Sequence, residues 1–184
     1  MSTTHPTFTA RIEGSPETIF DLIADMPHYG RWLPGSDAFG ETSEVAPYPV
    51  RLGTTYLDSG PAGQRPGSVT EYDPPKHIAF HQTMLLKRGP LTANIEVNIR
   101  YTFEPVEHAT NVTRALDLTI EMPAFLKLAE PLVLRAFRKE NERLLAELKS
   151  YVEAQPKHHD LHPSSGEIGL TGPKSTTSAV NLPE

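Results

Sequence analysis

The 184-residue chain contains no cysteine. That excludes disulfide staples, cysteine-ligated zinc and thiol nucleophiles together. Long apolar runs are missing as well, so no segment reads as a membrane-spanning helix. The first residues, MSTTHPTFTARIEGS, lack the apolar stretch of a secretory signal, and a cytoplasmic location is expected. Clustered positive charge is absent too. The net charge is −6. The cationic residues from Arg135 to Lys149 interleave with Glu140, Glu142 and Glu147, which is the pattern of a solvated helix face. No nucleic-acid partner is expected.

What remains is ordinary for a globular protein. Apolar residues make up 38% and charged residues 22%, and the length fits one domain with a tail. TFTARI (7–12) alternates with Phe8, Ala10 and Ile12 on one face, as a strand does. Ser15-Pro16-Glu17 then reads as a helix start: a cap, a proline suited to the first position and an acid that complements the dipole. Ile19, Phe20, Leu22 and Ile23 give that helix its apolar side, and a second short helix is expected before Pro34-Gly35.

The middle of the chain predicts strands over 37–46, 53–58, 67–73 and 77–86, separated by Gly- and Pro-rich turns. The clearest strand is NIEVNIRYTF. There Ile95, Val97, Ile99, Tyr101 and Phe103 share one face, and the alternate residues are polar. VTRALDLTI (112–120) repeats the pattern and forms a hairpin with it. From Ala124 to Glu153 the apolar period changes to three and four, predicting a helix of about 30 residues, roughly 45 Å long. Pro131 either kinks this helix or starts its main part. The domain is expected to span 1–154. The Pro-, Ser-, Thr- and Gly-rich remainder, 155–184, reads as a disordered tail. A one-sided antiparallel sheet must cover its apolar face, and one long helix is the only large cover. That arrangement leaves room for an apolar cavity.

Several candidates for chemistry are weak. DSGPAGQRPGS (58–68) lacks the Gly-Lys-Ser/Thr ending of a phosphate loop and is expected to be a hairpin loop. His77 and His81 lie on a strand, about 13 Å apart, too far for one metal. His158, His159, Asp160 and His162 lie in the tail, where nothing preorganises a site. No Gly-x-Ser-x-Gly elbow is present. No metal and no cofactor are expected. The inward faces carry more information. Phe80, Gln82 and Met84 follow Ile78 on one face, and Gln82 is a polar group that needs partners there. Tyr101 brings a hydroxyl inside. Arg114, in phase with Val112 and Leu116, needs a carboxylate, a phenolate or a ligand oxygen. For an enzyme no base stands out: Glu71, Asp117 and Glu121 are the candidates, with Asp117 pointing outward, so no catalytic residue is named.

PETIFDLIADMPHYGRWLPG, VTEYDPPKHIAFHQT, the YTFEP…ATNVTRALDLTI hairpin and the ending LLAELKSYVE resemble the polyketide cyclase/dehydrase-like proteins. These belong to the START/Bet v 1-like (SRPBCC) superfamily. The resemblance covers about residues 6–154. It implies an α+β helix-grip fold: a curved antiparallel sheet of six or seven strands around a long C-terminal helix, with two short helices after the first strand. It also implies a cavity between sheet and helix that holds lipids, polyketides or similar molecules, and it places Tyr29 and Trp32 over the cavity's end. Tyr29, Trp32, Phe80, Gln82, Met84, Tyr101 and Arg114 are the residues expected to contact ligand. Binding of a small hydrophobic molecule is the expected function. A polyketide cyclase/aromatase or dehydratase is the alternative, and a regulatory or interaction protein the third reading.

Overall fold

The computed structural model describes residues 1–88 and 91–155. Nearly all of the expected tail, with its histidines, lies outside the described residues.

In chain order the elements are β1 (Ser2–Thr4), β2 (Thr7–Ile12), α1 (Pro16–Ala24), a 3₁₀ helix (Met26–Arg31), β3 (Glu41–Ala46) and β4 (Thr55–Gly60). Then follow β5 (Gly63–Asp73), β6 (His77–Arg88), β7 (Leu91–Val106), β8 (Ala109–Glu121), a second 3₁₀ turn (Ala124–Ala129) and α2 (Glu130–Ala154). The sheet is antiparallel throughout, in the order β1–β8–β7–β6–β5–β4–β3, with β2 also on β8. Ser2 pairs with Ile120 and Ile12 with Thr110 in one unbroken register. β1 and β2 are therefore one edge strand interrupted at His5-Pro6, where proline has no N–H to give. Eight segments fill seven strand positions in a helix-grip fold.

Period two decides which side chains enter the core. Ala93, Ile95, Val97, Ile99, Tyr101 and Phe103 of β7 are buried, while Asn94, Glu96, Asn98 and Arg100 are exposed. β8 buries Val112, Arg114, Leu116, Leu118 and Ile120 against the same core. α2 closes that face with Val133, Asn141, Leu145, Leu148 and Val152. α1 caps one end, its Phe20 edge-on to Tyr72 and Phe103. Ser15 caps α1 by accepting from the Thr18 N–H at 3.2 Å. Gly14 matters for packing: a Cβ there would stand 2.7 Å from Val152 Cγ1, so only glycine lets the β2–α1 turn meet α2 so closely.

Two expectations need correction, and one open alternative is decided. The Gly-rich stretch 58–68 is not a loop. It forms the facing ends of β4 and β5, joined by Pro61-Ala62, with Asp58 opposite Arg65 and Tyr56 opposite Gly67. Glycine weakened the strand signal there for a local reason. The Tyr56 ring lies over Gly67, where a Cβ would come within 2.5 Å of Tyr56 Cζ. Strand β3 begins at Glu41, not at 37. Pro131 starts the main part of the helix rather than kinking it: α2 begins at Glu130, after a 3₁₀ turn, with Pro131 in the first turn, where a missing N–H costs no helical bond. Phe125 and Leu128, before this start, and Leu132, in the first turn, are exposed. The apolar face expected for 124–153 is thus buried only from Val133 onward.

Candidate functional site

Between the concave face of the sheet, α2 and the first 3₁₀ helix lies a cavity of about 480 Å³. Its apolar walls come from Phe39, Phe80, Ile95, Ile99, Val133 and Phe137, among others. The seven side chains expected at a ligand all stand on this one wall. They arrive from three places: Tyr29 and Trp32 from around the 3₁₀ helix, Phe80, Gln82 and Met84 from β6, Tyr101 and Arg114 from β7 and β8.

The polar groups are arranged by strand register. Tyr101 and Arg114 are direct cross-strand partners, so alternation sends both inward side by side. Arg114 Nη1 donates to the Tyr101 hydroxyl, and the guanidinium lies 4.7 Å from the Tyr101 ring centroid. Arg114 Nε donates to Asn141 Oδ1 on α2 at 2.7 Å. Asn141 Nδ2 in turn donates to the Phe137 carbonyl at 2.7 Å, one helical turn back. Neither partner of Arg114 is charged. Burial pushes the Arg114 pKa down to about 10, against the opposing influence of Tyr29, Tyr56 and Asp58. It therefore stays cationic at neutral pH.

A second polar group surrounds Asp58. Its Oδ2 accepts from Gln82 Nε2 at 2.6 Å and its Oδ1 from the Thr42 hydroxyl at 2.5 Å. Burial raises the Asp58 pKa from its ordinary value, with Thr42, Arg65, Gln82 and Arg114 pulling it back. Burial also raises the Tyr56 and Tyr29 hydroxyls, and Asp58 adds to both shifts. Arg65 faces Asp58 across the β4–β5 pair and places its guanidinium 6.0 Å from the Phe39 ring centroid.

The MPHYGRWLPG corner is structural on one side and faces the cavity on the other. Tyr29 and Trp32 meet edge-to-face with centroids 5.3 Å apart, and the Tyr29 hydroxyl donates to the Ile23 carbonyl. His28 and Arg31 both turn to Asp25, at 2.7 and 3.5 Å, away from the cavity wall. At the mouth, Glu140 accepts from Ser36 at 2.9 Å and from Arg143 at 2.7 Å, while Arg143 also donates to the Pro34 carbonyl at 3.0 Å. These bonds tie the segment after Trp32 onto α2. Burial alone would raise the Glu140 pKa, but the bonds from Arg143 and Ser36 outweigh it and hold it low.

Sequence reading missed Asp58, Arg65 and Asn141. Asp58 and Tyr56 are two apart on a strand, so the inward phase of Tyr56 carries Asp58 inward. The glycines that follow masked that signal. Asn141 sits four after Phe137 and four before Leu145, on the apolar phase of α2, and is the one polar residue that the helix buries. The histidines of β6 serve the outer face: His77 lies 3.3 Å from Glu71, and His81 lies 3.0 Å from Asn98. A second hollow, of about 640 Å³, lies near the far end of β6–β7 and is walled largely by outward residues such as Thr83, Asn94, Glu96 and Thr119. Among the described residues there is no cluster of three or more His, Asp or Glu able to hold a metal. No described helix is long and apolar enough to cross a membrane.

A seven-position antiparallel sheet gripping one C-terminal helix, with a walled cavity between them, defines a START-like helix-grip protein. Solved structures share this fold. A START superfamily protein from Mycobacterium smegmatis matches with a TM-score of 0.59 and 17% identity, over 81% of this chain and 97% of its own. A Thermus thermophilus protein matches with a TM-score of 0.59 and 18% identity, over 82% and 98%. The di-domain aromatase/cyclase BexL of the BE-7585A biosynthetic pathway matches with a TM-score of 0.61 and 17% identity, over 84% of this chain and 51% of that one. At such identities the likeness is one of fold. No curated protein matches the sequence. Residues 3–153 match the family described as polyketide cyclase / dehydrase and lipid transport, and the chain belongs to that family.

Proposed function

We propose that the protein binds a small hydrophobic molecule, a lipid, a polyketide or a compound of similar character, in the cavity between sheet and α2. The observation that carries this reading is the cavity itself. About 480 Å³ of space, walled by Phe39, Phe80, Ile99 and Phe137, remains open in an otherwise packed core. Interiors normally fill at crystal density, so an unfilled apolar volume is a feature that ligand burial explains. Family membership supports the same reading. The test is mass spectrometry of small molecules that co-purify with the protein, joined to a thermal-shift panel of apolar compounds. A specific co-purifying compound that also raises the melting temperature supports binding. A panel that shifts nothing, with no compound retained, rejects it.

A cyclase or dehydratase acting in the same cavity is the second reading, and Asp58 is the observation in its favour. An aldol-type cyclisation needs a base at a carbon acid and donors for the enolate oxygen. Asp58, with its raised pKa, supplies a carboxylate on the wall, and Arg114 with Tyr101 supplies donors. Incubation with a poly-β-ketone thioester, followed by absorbance of an aromatic product, tests it. Activity that Asp58→Asn abolishes while ligand binding survives supports an enzyme. Product formed at the spontaneous rate points back to binding alone.

A further inference from the structure

Two residues that line the cavity carry buried donor nitrogens with no hydrogen-bond partner among the described residues. Trp32 is 4% exposed, and its indole Nε1 is buried without a hydrogen-bond partner. Arg65 Nε is in the same condition. Buried donors left unpaired are rare in folded proteins, and each costs free energy that a bound acceptor recovers. Both residues line the cavity, one from beside the 3₁₀ helix and one from β5.

Charge points the same way. The cavity is lined by Arg65, Arg114, Lys139 and Arg143, and by Asp37, Asp58 and Glu140. Arg143 and Glu140 neutralise each other at the mouth, and Lys139 and Asp37 stand at its rim, Lys139 in the open. The inner wall is left with two guanidinium groups against one carboxyl. Among the described residues neither Arg65 nor Arg114 forms an ion pair with a carboxylate. Arg114 is held by neutral oxygens of Tyr101 and Asn141. Asp58 already accepts from Gln82 and Thr42. Asp58 is thus one carboxyl shared between two guanidinium groups, and a ligand anion would offset the cost of the excess positive charge.

We infer that the occupant of this cavity is an amphiphile, an apolar body carrying one anionic oxygen head, with the head held by Arg65 and the Trp32 indole N–H in the field of Arg114. This rests on the binding reading above and narrows it. Carboxylates and phenolates share the required chemistry. Planar acceptor oxygens suit a guanidinium edge, and a single head suits a cavity whose remaining wall is apolar and aromatic.

The experiment compares matched acids and alcohols on the full chain by titration calorimetry. Decanoate is set against decan-1-ol, and 2-naphthoate against 2-naphthylmethanol, so that body shape does not decide the result. At least one acid is expected to bind about tenfold or more tightly than its alcohol, the scale of one charge-assisted hydrogen bond. Arg65→Leu is expected to remove most of that preference. Arg65 is only half buried, and the comparison on the unaltered protein needs no variant at all. Equal affinity for acid and alcohol overturns the inference and leaves the binding reading intact. A preference that Arg65→Leu preserves in full overturns the role of Arg65. Failure of every probe to bind overturns the inference together with the reading beneath it.

Discussion

Arg114 of β8 and Asn141 of α2 are joined by a 2.7 Å hydrogen bond across the core. It is a polar link between sheet and long helix, set among apolar contacts on either side. Asn141 is fixed by its bond to the Phe137 carbonyl, so the acceptor is already oriented when Arg114 arrives. The bond fixes how far α2 stands from the sheet at the depth of the cavity.

Asn141→Leu should therefore destabilise the protein by about 2–4 kcal/mol, because it leaves a buried cation short of an acceptor. Arg114→Met should cost less, since it removes the charge and leaves only the neutral oxygens of Asn141 and Tyr101 unmatched. The double variant should be no worse than Asn141→Leu alone. Urea unfolding of the four proteins gives the coupling. Strictly additive losses would show that the bond contributes nothing specific.

Gly67→Ala places a methyl group 2.5 Å from Tyr56 Cζ. The strand backbone at Gly67 is held on both sides, by Tyr56 of β4 and Gln82 of β6, so the ring must move. A loss of about 1–3 kcal/mol is expected, the usual cost of overpacking. Tyr56→Leu should recover part of it, because the shorter side chain vacates the space. Thermal denaturation of both variants checks this, and an unchanged melting temperature for Gly67→Ala would contradict the packing described.

Asp58 has a raised pKa in the folded state, caused first by burial. The folded protein then holds this proton more tightly than the unfolded chain, whose Asp titrates near pH ~3.9. The stabilising contribution of Asp58 is full below that pH and is lost as pH rises through the folded pKa. Relative to Asp58→Asn, the natural protein should therefore lose stability as the pH rises above about 4. Urea unfolding across that range measures the difference. A difference that grows in favour of the natural protein with rising pH would contradict the assignment.

Trp32 is the only tryptophan, and it lines the cavity at 4% exposure. Its emission should be shifted to the blue and poorly quenched by acrylamide in the free protein. Occupancy of the cavity should change its intensity, and Trp32→Phe should abolish the signal. Ligand binding seen by calorimetry without any response of Trp32 would place the ligand elsewhere.

Much of this was legible in the linear pattern. Period two along NIEVNIRYTF puts Tyr101 inward for any sheet with one dry face, and the same rule carries Arg114 and Gln82 inside. Ser15-Pro16 marks the helix start because capping is a local hydrogen bond between Ser15 and Thr18. The stretch 58–68 was illegible because its glycines answer to a neighbour on another strand: the Tyr56 ring needs Gly67 bare. Asn141 was hidden by its helix, where one polar residue on an apolar phase has no meaning until Arg114 is opposite it. Phe125 and Leu132 fit an apolar stripe by spacing, yet the sheet offers them nothing to pack against.

The sequence by itself determined the elements, their inward faces and the one-helix cover, because backbone period and capping depend on neighbours within a few residues. Only the tertiary structure decided which polar groups meet. Asp58 with Gln82, Arg65 across from Asp58, and Arg114 between Tyr101 and Asn141 are products of register and helix placement. Each joins residues distant in the chain, whose encounter is set by the packing of the whole core.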